Sequence, residues 1–417
     1  MKGMGVFVLT LFIVLLSTTN GQYYHQFEKQ GSYARILSMG SNDYIADPFF
    51  VTTNPAWISK YDNFVFGDIG STVANNFERG GIGQFIGVNL RANRNFSFGA
   101  LFTRRDFNGG SIAKLDPYNL VDETNGTIGG APVTPLDNNV VLLGAYTAGG
   151  HTFGLGISYT SSTKENKPAT GGSEVGTASQ LGINIGYLSS LSRQLFLDLG
   201  AYIIFPSTTL ETQQTSETSF SQTIIGLNAR AFYYTSAKMA IVPVITFLNS
   251  KGSAKIGDQA GVTTTDLPSY TSFSVGVGIN YRMGDFLLAG GPSYEVLSVT
   301  DPEISGVTPK LTRTTTSFPH WKIGAEWNLT DWFIGRIGYN VATSKVSVQS
   351  ATSPTTKNEV ISTAYFPVNG GLTLGVGFRF GGFSLDATVN EDVLRQGFNN
   401  IGGGGATFSY LSASFAF

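Results

Sequence analysis

Ser272–Arg282 reads SFSVGVGINYR, and apolar side chains alternate strictly with small or polar ones along it. Successive side chains of a β-strand point to opposite faces of the sheet, so the stretch predicts a strand with one apolar and one polar face. The same alternation recurs at 151–160 and at 320–327, and a unit of strand, short turn, strand and longer loop repeats from residue 62 onward. The sequence therefore predicts an all-β, antiparallel fold.

Alternation alone does not distinguish a membrane barrel from a sandwich in water, because a soluble sheet also has one apolar face. Three further features favour the barrel. The polar face is rich in Gly, Ser and Asn, short turns alternate with long polar connections, and aromatic residues stand near the ends of the apolar face. Each feature is typical of a transmembrane β-barrel with aromatic girdles at its two interfaces. The aromatic residues are Tyr159, Tyr281, Trp327, Tyr339 and Phe417.

Closure of the sheet follows from the membrane itself. An unpaired N–H or C=O in hydrocarbon costs several kcal/mol, so a spanning sheet must pair its first strand with its last. The alternating segments number about sixteen. The final stretch, Thr407–Phe417 (TFSYLSASFAF), alternates up to a terminal Phe. It looks like the C-terminal signal read by the barrel assembly machinery, and we assign that role to Phe415 and Phe417.

The composition limits the partners and the chemistry. The chain has 417 residues, no Cys, 13% charged residues and a formal net charge of −2. An exported chain without Cys is held together by packing and hydrogen bonds alone, and it cannot be acylated as a lipoprotein. A near-neutral charge without a basic patch gives no basis for nucleic-acid binding.

Residues 1–21 are predicted to be a secretory signal peptide. Lys2 precedes an apolar run, Val6–Leu16, which is too short to span a bilayer, and the small and polar stretch Ser17–Gly21 suits cleavage. A membrane anchor is the alternative interpretation. Export combined with the barrel pattern predicts a location in the outer membrane of a bacterium, with its lipid as the surroundings.

Between the leader and the first strand lies a segment that fits neither pattern. Ala34–Trp57 mixes small polar residues with apolar ones. Pro48 and Pro55 forbid a continuous helix or a central strand, because proline lacks an N–H and fixes φ. We expect a compact, irregular segment here.

Three pieces of this segment carry a resemblance to a known family. They are Arg35–Gly40 (RILSMG), Ala46-Asp47 and Asn54–Ala56 (NPA), and they stand directly before the first strand. Their order resembles the N-terminal plug of the FadL-like superfamily of long-chain fatty acid transporters. Within that superfamily it is similar to PorV, a type IX secretion barrel, and its relatives. The chain departs from the pattern at Pro48, where a second acid is usual, and at Trp57, where Gly is usual.

The resemblance implies a fold as well. It implies an antiparallel transmembrane barrel of about 14 strands, which we prefer to the sixteen counted, so the expected range is about 14–16. It also implies that residues 22–60 form a periplasmic segment and a plug in the lumen, and that 61–417 form the barrel. The plug or gate residues that carry over are Arg35, Met39, Gly40, Asp47, Asn54, Pro55 and Ala56.

The function implied by the resemblance is passive uptake or export of a hydrophobic small molecule through the plugged lumen. Four apolar residues of the segment become candidates for a substrate site, with ordinary packing of plug against barrel as the alternative. The alternative function is that of a PorV-like barrel, which transports nothing and binds or anchors an exported or surface protein in a secretion or surface complex. The four candidates are Ile45, Phe49, Phe50 and Trp57.

No catalytic residue, metal site or cofactor is predicted, and the protein is not expected to be an enzyme. The three His are scattered without a partner at metal-ligand spacing, and neither a Gly-x-Ser-x-Gly elbow nor a Walker loop occurs. Asp122-Glu123, Asp301 and Glu303 are expected to be solvated acids, with calcium binding as the alternative. The long connections 106–137 and 250–268 are predicted to be exposed loops on the outer side.

Overall fold

The computed structural model describes ten parts of the chain: 27–71, 85–107, 109–129, 132–167, 172–212, 218–258, 261–303, 309–353, 356–389 and 408–417. The predicted signal peptide, residues 1–21, lies outside them. Among the described residues, no helix has the length and apolarity needed to cross a bilayer.

The described chain is dominated by antiparallel strands. Two short α-helices, α1 (Tyr33–Ser38) and α2 (Leu120–Ile128), and three 3₁₀ turns (Pro48–Thr52, Pro55–Ser59, Ser111–Ala113) accompany them. The strands are β1 (Phe64–Ser71), β2 (Phe85–Arg91), β3 (Phe96–Arg104), β4 (Asn138–Ala148), β5 (His151–Asn166), β6 (Glu174–Ser190), β7 (Leu195–Thr212), β8 (Thr218–Ser236), β9 (Met239–Asp258), β10 (Gly261–Asp266), β11 (Ser269–Met283), β12 (Phe286–Asp301), β13 (Lys310–Asn328), β14 (Phe333–Ser353), β15 (Thr356–Phe380), β16 (Phe383–Val389) and β17 (Phe408–Ala416).

The sheet closes into a barrel. Neighbouring strands pair in chain order, and β17 pairs back to β1, with Phe64 opposite Ala416. Strand β10 pairs with the far end of β9, beyond the part of β9 that pairs with β11. The closed circuit therefore contains sixteen strands, and β10 lies outside it. The preference for about 14 strands was wrong, and the number of alternating segments counted from the sequence, about sixteen, agrees with the closed circuit.

The predicted loops are shorter than expected. Strand β9 runs to Asp258 and pairs with β10 across most of the predicted loop 250–268, and β5 likewise runs to Asn166. Polar and small side chains dominate these extensions, and β9 alternates only at Ala254 and Ile256, so the two-residue pattern that marks a strand is too short to be recognised there. The ladder of backbone hydrogen bonds continues there without it.

The two faces of the wall have the predicted polarity over the central part of the barrel. On β5, Phe153 and Tyr159 are 55% and 63% exposed, whereas Thr152 and Ser158 are 2% and 1% exposed. Exposed apolar side chains on the outside and buried polar ones on the inside are typical of a barrel whose outer face meets lipid. The predicted division of 151–160 into two faces is confirmed.

The core lies between the wall and residues 27–63, which we call the N-terminal segment. Each of its two 3₁₀ turns begins with a capping side chain followed by proline: the Asp47 carboxylate accepts from the Phe49 N–H at 3.0 Å, and the Asn54 amide oxygen accepts from the Ala56 N–H at 2.9 Å. Such caps satisfy N–H groups that the turns leave unpaired, and proline suits the first position. A compact, irregular segment was the expectation, and it is confirmed.

Candidate functional site

A buried charge network joins α1 to one side of the wall. Arg35 donates from Nε and Nη2 to the two oxygens of Glu326 on β13, at 2.8 and 2.9 Å, and from Nη1 to Asp47 at 3.2 Å. Glu326 also accepts from Arg336 Nε at 2.6 Å. Burial raises the pKa of Asp47 to about 7, and the neighbouring Arg35 opposes that shift. Removing one partner of such a network leaves an uncompensated buried charge.

The network continues along the wall through Asp386 on β16. This carboxylate accepts from Arg336 Nη1 at 2.8 Å and from Arg379 Nη2 at 2.9 Å. Three arginines therefore meet three carboxylates, counting Asp47, Glu326 and Asp386. These shared contacts form a structural junction between the N-terminal segment and β13–β16.

A second junction lies across the barrel at Asp198 on β7. Its carboxylate accepts from Asn54 Nδ2 at 2.6 Å and from Trp57 Nε1 at 3.0 Å, and from Arg230 Nε on β8 at 2.9 Å. The Arg230 guanidinium also lies 3.7 Å from the centroid of the Phe50 ring. The N-terminal segment is therefore tied to opposite sides of the same closed wall.

Glycines on the wall let the backbone of the segment approach closely. A Cβ at Gly154 would lie 2.2 Å from Ala56 N, and one at Gly186 would lie 1.8 Å from Asn54 Oδ1. On the opposite side, a Cβ at Gly338 would lie 2.1 Å from Gly40 N. A side chain at any of these positions would push the segment off the wall. The sequence signal for these sites was present as Gly on the polar face of the strands, but their partner was not identifiable from it.

The predicted plug or gate residues fall into two groups. Those around α1 meet β13–β16, and those at the second 3₁₀ turn meet β5–β7. Their burial on the inner face is described by the structure, whereas their action as a plug or gate stays a prediction. The first group is Arg35, Met39, Gly40 and Asp47, and the second is Asn54, Pro55 and Ala56.

The predicted substrate residues are packed. Ile45, Phe49 and Trp57 are 1%, 6% and 0% exposed, and Phe50 is half-buried beneath Arg230. The Trp57 ring lies 4.9 Å from Phe27 and the Phe49 ring 4.5 Å from Tyr33, between centroids. These contacts are those of a packed core, and a role in substrate binding stays a prediction.

The predicted assembly signal lies on the outer face of β17 and just beyond its end. Phe415 and Phe417 are 46% and 59% exposed, and their ring centroids are 6.1 Å apart. This position leaves both rings accessible to another protein during assembly. Recognition by the assembly machinery stays a prediction.

The connection 106–137 is folded onto the inner face instead of forming an exposed loop throughout. Asn139 and Ser158 on the wall donate to the Ile112 carbonyl at 2.9 and 3.2 Å, and Thr124 of α2 lies 2.7 Å from Thr208 on β7, between hydroxyl oxygens. Asp122 and Glu123 of α2 remain exposed, as predicted. The predicted exposure of the whole connection was wrong, because its apolar residues pack under β4–β8.

Beyond the N-terminal segment, the inner faces of β9, β12 and β14 carry apolar side chains, and Ser272 of β11 and Thr315 and Arg313 of β13 lie between them. Glu295 contacts the buried His320, so β12 points Glu295 into the lumen, and the two-residue period places Leu297 and Val299 on the same face. The hydroxyl of buried Ser344 on β14 bonds to that of buried Ser317, which likewise places Val346 and Val348 inside. Leu297 is 43% exposed although it faces inward. Leu248 lies on the same face of β9 as the buried Val244 and Ser250. We call Leu248, Leu297, Val299, Val346 and Val348 the apolar lumen wall.

The outer face of the same strands is polar at this level. The hydroxyls of Ser298 and Thr314 lie 3.4 Å apart, and those of Thr300 and Thr312 lie 3.3 Å apart. Closer to the short turns the order is the opposite, with Ile323 exposed outside and Glu326 buried inside. The polarity of the wall therefore reverses along β12–β14. This reversal marks the end of the lipid-facing belt, and above it the apolar side chains line the lumen.

A polar cluster stands at the base of the apolar lumen wall. Lys322 Nζ lies 2.8 Å from Asp43 Oδ2 and 3.4 Å from Glu295 Oε1, and His320 Nδ1 lies 2.9 Å from the same Glu295 oxygen. His320 Nε2 faces Asn340 Oδ1 at 2.6 Å. The two ring nitrogens of His320 therefore face an amide oxygen and a carboxylate oxygen. Within the described parts of the chain, no group of three or more His, Cys, Asp or Glu side chains could hold a metal ion.

The short-turn end of the barrel holds a separate polar cavity of about 340 Å³. Glu28 pairs with Arg282 at its rim, and Gln30 accepts from Arg379 at 2.9 Å. Residues 28–30 therefore form a strap across this end, fixed to strands on both sides. The cavity extends inward to Arg35 and Glu326.

Comparison with known proteins gives a likeness of fold. No family model and no curated protein matches the chain. The toluene transporter TodX of Pseudomonas putida is similar at 11% identity over 94% of this chain and 99% of that one, with a TM-score of 0.35. The FrpB iron transporter of Neisseria meningitidis (F5-1 variant) is similar at 12% identity over 78% and 62%, with a TM-score of 0.40. The chain spans about three fifths of the FrpB structures.

A third similar structure is the ferric citrate transporter FecA in its unliganded form, at 10% identity over 78% of this chain and 64% of that one, with a TM-score of 0.33. All these identities and TM-scores are too low to assign a family. No PorV-like barrel is among the structures named here. The predicted likeness to PorV has no support from these comparisons.

Proposed function

We propose that this protein is an outer-membrane barrel that lets a hydrophobic small molecule pass passively through its lumen. The outer belt of exposed apolar side chains suits a lipid surrounding, and a closed sheet leaves no edge unpaired in hydrocarbon. The lumen would then be the route across the membrane.

The apolar lumen wall is the observation that carries this proposal. A water-filled pore has a polar lining, because apolar side chains that face water contribute no hydrophobic stabilisation. Here a patch of Leu and Val faces inward at the level where the outside turns polar, and Leu297 remains 43% exposed. Such a patch supplies a favourable surface for an apolar molecule that enters from the end of the barrel where β9 and β10 project.

The N-terminal segment would act as the plug of this route. Its two junctions, at Glu326 and at Asp198, are supported by short charge-assisted hydrogen bonds, which favour a fixed position over free movement. A transported molecule would therefore pass beside the segment, or leave through the wall, before reaching the strap 28–30.

The experiment is uptake of radiolabelled naphthalene by bacteria that lack their own hydrocarbon channels and express this protein. Val346→Asp places a charge on the apolar lumen wall and is expected to lower the protein-dependent uptake about tenfold or more, because burial of an apolar solute against a charge is unfavourable. Ser347→Asp, one residue along β14 on the polar outer face, is the matched control and should retain uptake. Equal uptake by the two variants would refute the proposal.

A further inference from the structure

The cluster at the base of the apolar lumen wall has unused hydrogen-bonding capacity. Three groups converge on one oxygen of Glu295: the Ser293 hydroxyl at 3.1 Å, His320 Nδ1 at 2.9 Å and Lys322 Nζ at 3.4 Å. Within the described residues, no hydrogen bond uses the second oxygen, Oε2. The hydrogen bond of Lys322 to Asp43 uses Oδ2, and no hydrogen bond within the same residues uses Oδ1.

Accessibility separates the two carboxylates from the rest of the cluster. The side chains of Glu295 and Asp43 are 29% and 38% exposed, whereas those of Lys322 and His320 are 16% and 2% exposed. The two acids are therefore the groups that a molecule in the lumen can reach. With His320 neutral, two carboxylates against one ammonium give this cluster a formal charge of −1.

The cluster is continuous with the apolar lumen wall. Glu295 and Leu297 are successive inward positions on β12, and Leu297 is opposite Thr315, which is opposite Val346 on β14. One molecule of modest length could therefore contact the acids with one end and the Leu and Val side chains with the rest.

We propose that this surface binds an amphiphile whose polar end donates hydrogen bonds or carries a positive charge, such as an aliphatic amine. The inference rests on the proposed function, because it names the class of molecule that the apolar lumen wall would accept. An ammonium would pair with Glu295 and Asp43, and a hydroxyl could donate to either. At this cluster a carboxylate would add a third negative charge beside two, with Lys322 already paired, and is disfavoured; Arg313 lies farther along the wall, opposite Val299 and Val348.

The position of Asp43 gives the site a second property. Asp43 belongs to the N-terminal segment, and its carbonyl accepts from Arg230 Nη1 of the wall at 3.1 Å. A bound amine that pairs with both acids therefore bridges the N-terminal segment and β12.

The experiment is calorimetric titration of the purified full chain in a maltoside detergent with octylamine, octanol and octanoate, each corrected by a titration into detergent alone. We expect octylamine to bind most tightly and octanoate least. Glu295→Gln should weaken octylamine about tenfold, since it removes one charge-assisted hydrogen bond, and should change octanol little. Asp43→Asn is the second variant, with the same expected direction, and the exposed turn variant Asp331→Asn is the control.

Octanoate binding as tightly as octylamine, no binding of any probe, or an octylamine affinity unchanged in both Glu295→Gln and Asp43→Asn would each overturn the inference. Folding of every variant is checked by the heat-dependent shift of the barrel band in gel electrophoresis. Failure of this inference is distinct from failure of the transport proposal, because naphthalene carries no polar group. Loss of naphthalene uptake in Val346→Asp together with no preference for octylamine would refute the amine site and leave transport supported.

Discussion

At the scale of single residues, the strongest constraint on this protein is the burial of ionised side chains. Arg35 is 4% exposed and is shared between Glu326 and Asp47, while Lys29 forms an ion pair with Asp62 at the rim with its own side chain 41% exposed. Buried pairs respond strongly to loss of a partner, and exposed pairs respond weakly. The two cations therefore allow a direct comparison within one segment.

We predict that Arg35→Met lowers the free energy of unfolding by about 3–5 kcal/mol, because it leaves Glu326 and Asp47 buried with fewer partners. Lys29→Met is expected to cost less than about 1 kcal/mol, because Lys29 is partly exposed and Arg91 still pairs with the buried Asp62 at 3.1 Å. Urea-induced unfolding in detergent micelles, followed by tryptophan fluorescence, measures both. Equal losses in the two variants would show that the network around Arg35 does not stabilise the N-terminal segment.

At the scale of elements, the fit between the N-terminal segment and the wall depends on glycine in β5. A Cβ at Gly154 would lie 2.2 Å from Ala56 N and 2.6 Å from Pro55 C, which are backbone atoms that cannot rotate away. Gly144 on the adjacent strand β4 has nothing within 4 Å of such a Cβ. We predict that Gly154→Ala costs about 1–3 kcal/mol of stability by overpacking.

Gly144→Ala serves as the control for that substitution and should change stability by no more than about 0.5 kcal/mol. Limited proteolysis of the purified barrel adds a positional readout, since displacement of the segment in Gly154→Ala should expose bonds near Ala56 to cleavage. If Gly154→Ala is as stable and as resistant as Gly144→Ala, the segment does not lie against β5 in solution.

The elements also show where sequence reasoning succeeds and where it stops. The faces of 151–160 and 320–327 were predictable, because a two-residue period fixes which side chains share a face. The extension of β9 to Asp258 was not, since only Ala254 and Ile256 mark an apolar face there and backbone pairing defines the rest. The partners of Arg35 and Asn54 on the wall lie 291 and 144 residues away, and nothing local in the sequence identifies them. The strand count failed for another reason, namely that a resemblance limited to residues 34–57 outweighed a count made on the whole chain.

At the scale of the whole molecule, a closed sheet with an even number of antiparallel strands must start and finish at the same end of the barrel. The Phe417 N–H donates to the Asn63 carbonyl at 3.0 Å, and the Ala416 N–H donates to the Gly382 carbonyl of a short turn at 2.9 Å. The start of β1 and the end of β17 therefore lie with the short turns. The paired extension of β9 and β10 projects from the opposite end.

This arrangement predicts an orientation in the outer membrane: the short turns face the periplasm, and the β9–β10 hairpin faces the outside. Since the chain has no Cys, single cysteines report position without background. Thr265→Cys in the hairpin should react with a membrane-impermeant maleimide on intact cells, whereas Asp331→Cys in a short turn should react only after the outer membrane is opened. Both positions are exposed in the structure, so a difference in labelling reports the membrane side and not burial. The reverse pattern would place the molecule upside down, and the apolar lumen wall would then open toward the periplasm and serve export in place of uptake.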